Sequence, residues 1–186
     1  MKIIVIGGTR SSKSFIAEEI SKRINILDNI KYLATMKPDC EENLKRIEGH
    51  LERRKNTKFV TLDAFKDVDN VIDKLNKLDT VLLDSATMLL NNEMFDKDKI
   101  NKNVYKKIAE NIIKVSNNCK NIVVVTDYIF SDSIIYDNFT DEYRKELAYL
   151  NRLLVNNFDV VIECNYNNIE FFKGEEEGRK LINEIY

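Results

Sequence analysis

Short apolar runs of strand length punctuate the chain: "KIIVI" at 2–6, "IKYLAT" at 30–35, "KFVTL" at 58–62, "TVLLD" at 80–84, "NIVVVTD" at 121–127 and "DVVIEC" at 159–164, with "NIEFFK" at 168–173 as a further candidate. They are near-continuous in Val, Ile and Leu rather than alternating with polar residues. A strand of that kind has no face to offer to water, so it must be covered on both sides, as in a parallel sheet. Longer segments of helical period separate the runs. Ile100, Val104, Ile108, Ile112 and Val115 recur every three or four residues, as do Tyr143, Leu147, Leu150 and Leu154. Each set predicts a helix with one apolar stripe against the sheet. Thr140 and Asp141 suit the start of the second helix, as cap and first-turn acid. Strand and helix in alternation, joined by right-handed crossovers, predict an α/β fold with a doubly wound, mostly parallel sheet, helices on both faces, and ligands at the carboxyl ends of the strands.

Composition narrows the function classes. The 186 residues form one expected domain, 1–186, since no Pro/Gly/Ser-rich linker divides them. A formal net charge of −2 with both signs interspersed gives no footprint for nucleic acid, and a small-molecule ligand is the better expectation. No apolar run approaches the roughly 18 residues of a membrane span, and "KIIVI" is too short for a signal peptide, so a cytoplasmic location is expected. Cys40, Cys119 and Cys164 are too scattered for a zinc site or a disulfide framework and are expected to be reduced and buried.

The first run leads into "GGTRSSKS", Gly7, Gly8, Thr9, Arg10, Ser11, Ser12, Lys13 and Ser14, and then into the helical pattern "KSFIAEEISKRI". This is the phosphate-binding loop G-x-x-x-x-G-K-[ST] with Ser12 in place of the second glycine. Its context, strand before and helix after, is what gives the motif a mechanism: backbone N–H groups and the positive helix end face an anion. Lys13 would reach the β- and γ-phosphates and the Ser14 hydroxyl would bind Mg²⁺. Ser12 is the local conflict, because a side chain resists the backbone angles that glycine adopts freely. The same serines could instead be simple helix caps.

A nucleotide site also needs a carboxylate at the end of a neighbouring strand to organise the metal and its waters. Asp84 and Asp127 both fit, and periodicity does not choose between them. The sole histidine, His50, lies in "NLKRIEGHLERR", which reads as a helix with Leu44, Ile47 and Leu51 on its buried face. Arg46 and Arg54 stand one turn to either side of it. Two guanidinium groups would disfavour the imidazolium, leaving a nitrogen lone pair for attack on a nucleotide phosphate. A half-exposed histidine on a charged helix face is the plainer alternative.

Taken together, "GGTRSSKS", "YLAT", "RIEGH" followed by Arg54, "TVLLDSAT", "VVVTD" and "YRKELAYLNRLL" resemble, in order and spacing, the bifunctional adenosylcobinamide kinase / adenosylcobinamide-phosphate guanylyltransferase family of cobalamin biosynthesis. The resemblance runs from about Met1 to the strand ending near Cys164. It implies a P-loop fold, a homotrimer, and ATP or GTP as phosphoryl donor to a corrinoid alcohol, adenosylcobinamide. It further implies transfer of GMP from GTP through a guanylylated histidine, which falls on His50. It also implies that Asp84 is the family's acidic position and Asn151 the asparagine of its late helix.

Departures from that family accompany the match. Ser12 replaces the loop glycine, Lys55 a proline, Asp127 and Tyr128 an asparagine–glutamate pair, and Ala148 a common glycine. These are expected to gather on the nucleotide and corrinoid side of the site. A kinase for another small alcohol, or a nucleotide-binding protein without catalysis, would use the same loop.

Overall fold

A computed structural model describes residues 1–55, 57–96, 99–165 and 168–183. In chain order the elements are β1 (Lys2–Gly7), α1 (Lys13–Ile24), β2 (Ile30–Ala34), α2 (Glu41–Arg54), β3 (Phe59–Asp63), a 3-10 segment (Val68–Lys74), β4 (Thr80–Asp84) and α3 (Ala86–Met94). There follow β5 (Phe95–Asp96), β6 (Lys99–Ile100), α4 (Val104–Asn117), β7 (Asn121–Asp127), α5 (Asn138–Asn157), β8 (Val160–Asn165), β9 (Asn168–Lys173) and α6 (Glu175–Ile182). Seven strands form one sheet in the order β3-β2-β4-β7-β1-β8-β9, parallel throughout except for β9, which returns antiparallel to β8.

The apolar runs are covered on both faces, as their composition requires. Successive residues of a strand point to opposite sides, so Ile4, Leu83, Ile122 and Val124 pack under α3, α4 and α5 through Leu90, Ile112, Leu147 and Leu150. Ile3, Val5, Leu82 and Val125 pack under α1 and α6 through Ile16, Ile20 and Leu181. The strand ends carry the polar residues. In register, Gly7 lies level with Asp127, and Asp84 level with Val125, so both carboxylates and the loop after β1 emerge on one edge of the sheet.

Four local expectations are corrected. Ile100 does not begin the stripe of α4; it lies in the short β6 and is exposed, while Ile108, Ile112 and Val115 are buried as expected. The cap of α5 is Asp137, whose carboxylate accepts from the N–H groups of Phe139 (2.8 Å) and Thr140 (3.0 Å), and Asp141 is left as the first-turn acid. Cys40 is exposed rather than buried and caps α2, its Sγ accepting from Asn43 N–H at 3.5 Å. Most consequentially, α2 buries no residue at all: Leu44 is 45% and Leu51 51% exposed. Its amphipathic pattern has a different partner, since Ile47 and Leu51 line a cleft instead of a core.

The start of α4 depends on a residue far along the chain. Asn103 precedes the helix at φ 59° and offers no side-chain cap, and the carboxylate of Glu146, buried on α5, accepts from Asn103 N–H and from Tyr105 N–H (3.1 Å) instead. Glu146→Ala removes a charged acceptor from two part-buried N–H groups and is expected to lower stability by about 1.5–3 kcal/mol, read as a fall in the urea midpoint at constant slope.

Candidate active site

The loop after β1 is shaped by a close approach at Gly7 and by two residues in left-handed conformation. A Cβ on Gly7 would stand 2.4 Å from Ser11 Oγ and 2.7 Å from the carbonyl oxygen of Cys164 on β8, so only glycine fits there. Ser12 sits at φ 65°, ψ 8°, the left-handed angles of the glycine it replaces, and Arg10 also has φ 60°. The conflict read from the sequence is therefore present in the backbone. Ser12 does not cap α1 through its side chain, and the first turn of that helix has no acidic residue. The positive end of α1 thus faces the cleft without an internal counter-charge. Ser11 Oγ is buried there without a partner. Lys13 folds back over the loop, donating to Gly8 O at 3.0 Å and pairing with Asp127 Oδ1 at 2.8 Å.

Across a cleft of about 1130 Å³, lined on one side by Thr9 to Ser14, stand Arg46, His50 and Arg54 of α2. Asp84, at the end of β4, also lines it. His50 Nδ1 is 4.0 Å from Asp84 Oδ2, and that oxygen accepts from the Tyr32 hydroxyl at 3.3 Å. The two arginines named from the sequence take different parts. Arg54 stacks its guanidinium 3.4 Å over the Tyr32 ring and donates through Nε to His50 O at 3.0 Å, which fixes the end of α2 to the sheet. Arg46 is exposed on the cleft wall.

The arginine that meets the imidazole is Arg53, with Nη2 2.9 Å from Nδ1. The sequence reading missed it by looking only four residues to either side. Positions three apart on a helix are neighbours too, and that rule would have found it. Because a guanidinium only donates, Nδ1 accepts in this arrangement and the ring proton rests on Nε2. Burial holds the His50 imidazole below its ordinary 6.5; the Asp84 carboxylate opposes that shift, and Arg53, Arg54 and Arg46 reinforce it. The expected direction is thus present, with desolvation rather than the arginines as its main cause. Tyr32 is held well above its ordinary value by burial and then by Asp84. Glu18 on α1 was also missed; it is buried, and that burial raises its carboxyl above the usual range.

At the end of β7, Asp127 is clamped through its backbone. Its N–H donates to Thr87 Oγ1 at 2.8 Å and its carbonyl accepts from Asn151 Nδ2 at 3.1 Å, while Asn151 Oδ1 takes the Thr126 hydroxyl at 2.7 Å. Asn151 therefore acts on a strand end from within α5. Of the departures from the family, Ser12 and Asp127 line the cleft. Lys55, Tyr128 and Ala148 are exposed and are not among the residues lining it, so the expected gathering holds only in part.

The chemistry of the donors suits a magnesium nucleotide. Ser14 and Asp84 supply hard oxygens to the same cleft, and no group of three or more His, Cys, Asp or Glu side chains among the described residues forms a closed cage. Mg²⁺ keeps most of its waters and takes few protein ligands. Among the described residues no helix is long and apolar enough to cross a membrane.

A left-handed serine costs about 1–2 kcal/mol, partly offset by the roughly 0.4–1 kcal/mol that glycine's freedom adds to the unfolded chain. Ser12→Gly should accordingly be as stable as the original or slightly more so, with nucleotide affinity unchanged or tighter; a loss of about tenfold by calorimetry would mean that the Ser12 hydroxyl itself contacts phosphate. The sole imidazole should titrate below 6.5 by NMR. Since the unfolded chain then binds that proton more readily than the folded one, His50 makes stability fall as pH drops below about 6.5, and His50→Gln removes this contribution.

A comparison with curated proteins finds no match. Among solved structures, the flagellar accessory protein FlaH from Methanocaldococcus jannaschii is similar at 12% identity and TM-score 0.51, covering 92% of this chain and 77% of that one. A second solved structure, an ATPase domain, aligns at 11% identity and TM-score 0.49 over 87% of this chain and 68% of that one. At such identity the FlaH likeness speaks for the fold alone. A family model, cobinamide kinase / cobinamide phosphate guanyltransferase (CobU), matches residues 3–165, which span the loop, α2 and both strand-end carboxylates. On that match the chain belongs to the CobU family, the bifunctional kinases and guanylyltransferases that act on cobinamide in cobalamin biosynthesis.

Proposed function

We propose that this chain performs both reactions of its family in the one cleft, with Lys13 serving the phosphoryl transfer and His50 carrying the guanylyl group as a covalent intermediate. The observation that carries the reading is the position of the sole histidine, across the cleft from a phosphate loop, beside Asp84 and held by two arginines of its own helix. In the first step the amides of Gly7 to Ser14, the start of α1 and the Lys13 ammonium bind the β- and γ-phosphates of ATP or GTP. The Ser14 hydroxyl and Asp84 would hold Mg²⁺, which supplies charge neutralisation for the transferring phosphoryl group. The amides and Lys13 fix the donor while the cleft orients the cobinamide hydroxyl.

In the second step Nδ1 of His50, the nitrogen without the proton, attacks the α-phosphorus of GTP once Arg53 has turned from it to the phosphates; a P–N bond forms, the P–O bond to pyrophosphate breaks with the electron pair leaving on pyrophosphate, and the proton stays on Nε2. Asp84 balances the positive charge that the imidazole acquires, at the 4.0 Å separation seen. An oxygen of cobinamide phosphate then attacks the same phosphorus and releases the imidazole. The covalent intermediate divides one displacement into two. Arg46, Arg53 and Arg54 offer positive charge to the phosphates along this wall. We read the whole chain, 1–186, as one domain working in the cytoplasm. A homotrimer is the assembly implied by the family resemblance.

Incubation with GTP labelled at the α-phosphate should leave label on His50, labile in acid and stable in base as a phosphorus–nitrogen bond is. His50→Ala should abolish it while phosphorylation of adenosylcobinamide continues. Consumption of γ-labelled but not α-labelled nucleotide would reduce the chain to a kinase. For the loop, Lys13→Ala should weaken ATP binding by about tenfold or more, the loss of a charge-assisted contact of about 1.5–3 kcal/mol. Unchanged affinity in calorimetry removes the loop from the site.

A further inference from the structure

We infer that in this chain Asp127, which stands where the family carries an asparagine, is the proton acceptor for the substrate hydroxyl in the phosphoryl-transfer step, an inference that rests on the loop being the triphosphate site and that makes this base a property of the chain and not of its family. Two carboxylates end neighbouring strands at this edge of the sheet, and they have different partners. Asp84 is turned away from the loop, with Oδ2 taking the hydroxyl of Tyr32 on β2 and lying 4.0 Å from His50 on α2. Asp127 is turned toward the loop, where Oδ1 pairs with Lys13 at 2.8 Å. The sheet order explains the division, since β7 lies directly beside β1 and holds β4 one strand further away.

Lys13 is the group that reaches the terminal phosphates of a bound nucleotide, so a carboxylate in contact with its ammonium stands next to where the γ-phosphorus comes to lie. The attacking hydroxyl must approach that phosphorus. Asp127 lines the cleft with its side chain 26% exposed, open to a substrate group without being surrendered to solvent. Its aim is fixed from behind. Thr87, Thr126 and Asn151 are all buried; Thr87 and Asn151 bind the Asp127 backbone on its N–H and its carbonyl side, and Thr126 holds Asn151 in place. A strand end held on both backbone groups gives its side chain a defined origin, which proton transfer needs within a hydrogen-bond distance.

The step balances without a further reactant. The alcohol O–H bond breaks and its proton passes to an Asp127 oxygen; the alcohol oxygen forms a bond to the γ-phosphorus; the bond from that phosphorus to the bridging oxygen breaks, and the nucleoside diphosphate leaves with the electron pair. The proton is then lost to water. Before nucleotide binds, Lys13 is the partner of the carboxylate. When phosphate oxygens take the ammonium, Asp127 is released to the incoming hydroxyl.

The test separates turnover from binding. Asp127→Asn keeps the size and the backbone clamp but removes basicity, so kcat for adenosylcobinamide phosphorylation by magnesium ATP should fall by about 10²- to 10⁴-fold, while the Kd of magnesium ATP stays the same or tightens because Lys13 has lost a competitor. Asp127→Glu should recover part of the rate. A kcat within about threefold of the original chain's overturns the inference, and so does a parallel loss of rate and ATP affinity, which would make Asp127 a ligand or scaffold for the nucleotide. Lys13→Ala keeps the two readings apart. If ATP affinity survives that change, the loop reading itself fails; if affinity is lost with Lys13→Ala but kcat survives in Asp127→Asn, only the role of Asp127 fails.

Discussion

Burial of both faces of the central strands is the constraint from which the rest of the structure follows. Ile3, Ile4, Val5, Leu82, Leu83, Val123 and Val124 are without solvent exposure, so no polar group can be placed along the middle of β1, β4 or β7 without a partner. Functional side chains are forced to the strand ends, and parallel pairing brings the carboxyl ends of those strands to one edge. Gly7, Asp84 and Asp127 meet there for that reason. The apolar core and the polar cleft are two consequences of one packing arrangement.

The cleft is built from unlike halves. On the sheet side, strain and clamps prevail: left-handed Arg10 and Ser12 in the loop, a glycine pressed against β8, and buried threonine and asparagine side chains behind Asp127. On the α2 side little is buried and contacts between polar groups hold the helix, chiefly Arg54 on Tyr32 and on the carbonyl of His50. A helix attached by so few apolar contacts has low local stability relative to the sheet. That contrast suits a cleft which would fix a triphosphate at one wall and present a nucleophile, the His50 ring, to two different phosphorus-bearing partners at the other. The electrostatics are divided in the same way, with Lys13 answered by Asp127 while Arg53 and Asp84 both stand beside the His50 ring.

Much of this is legible in the chain itself. Continuous apolar runs are diagnostic because a strand buried on both faces tolerates nothing else, and the loop motif is diagnostic because its residues are contiguous. Where the reading failed, the deciding information was not local. The amphipathic pattern of α2 looks the same whether Leu44, Ile47 and Leu51 meet a core or a cleft, since period reports a face and not what covers it. Asp84 and Asp127 end similar runs, and only the strand order tells which carboxylate stands beside Lys13 and which beside His50.

By itself, then, the sequence determined the sheet-and-helix architecture, the position of the loop after β1 and the strain at Ser12, because each of these is dictated by neighbouring residues through backbone geometry and period. The tertiary structure alone decided the partners of the site: Arg53 on the imidazole, Asn151 behind Asp127, Glu146 capping α4 from another helix, and the separation of the two carboxylates. These pairings join residues whose separation along the chain carries no signal, or, for Arg53, residues whose rotamers choose among several equivalent neighbours. Burial and hydrogen-bond satisfaction, which exist only once the sheet has formed, select them.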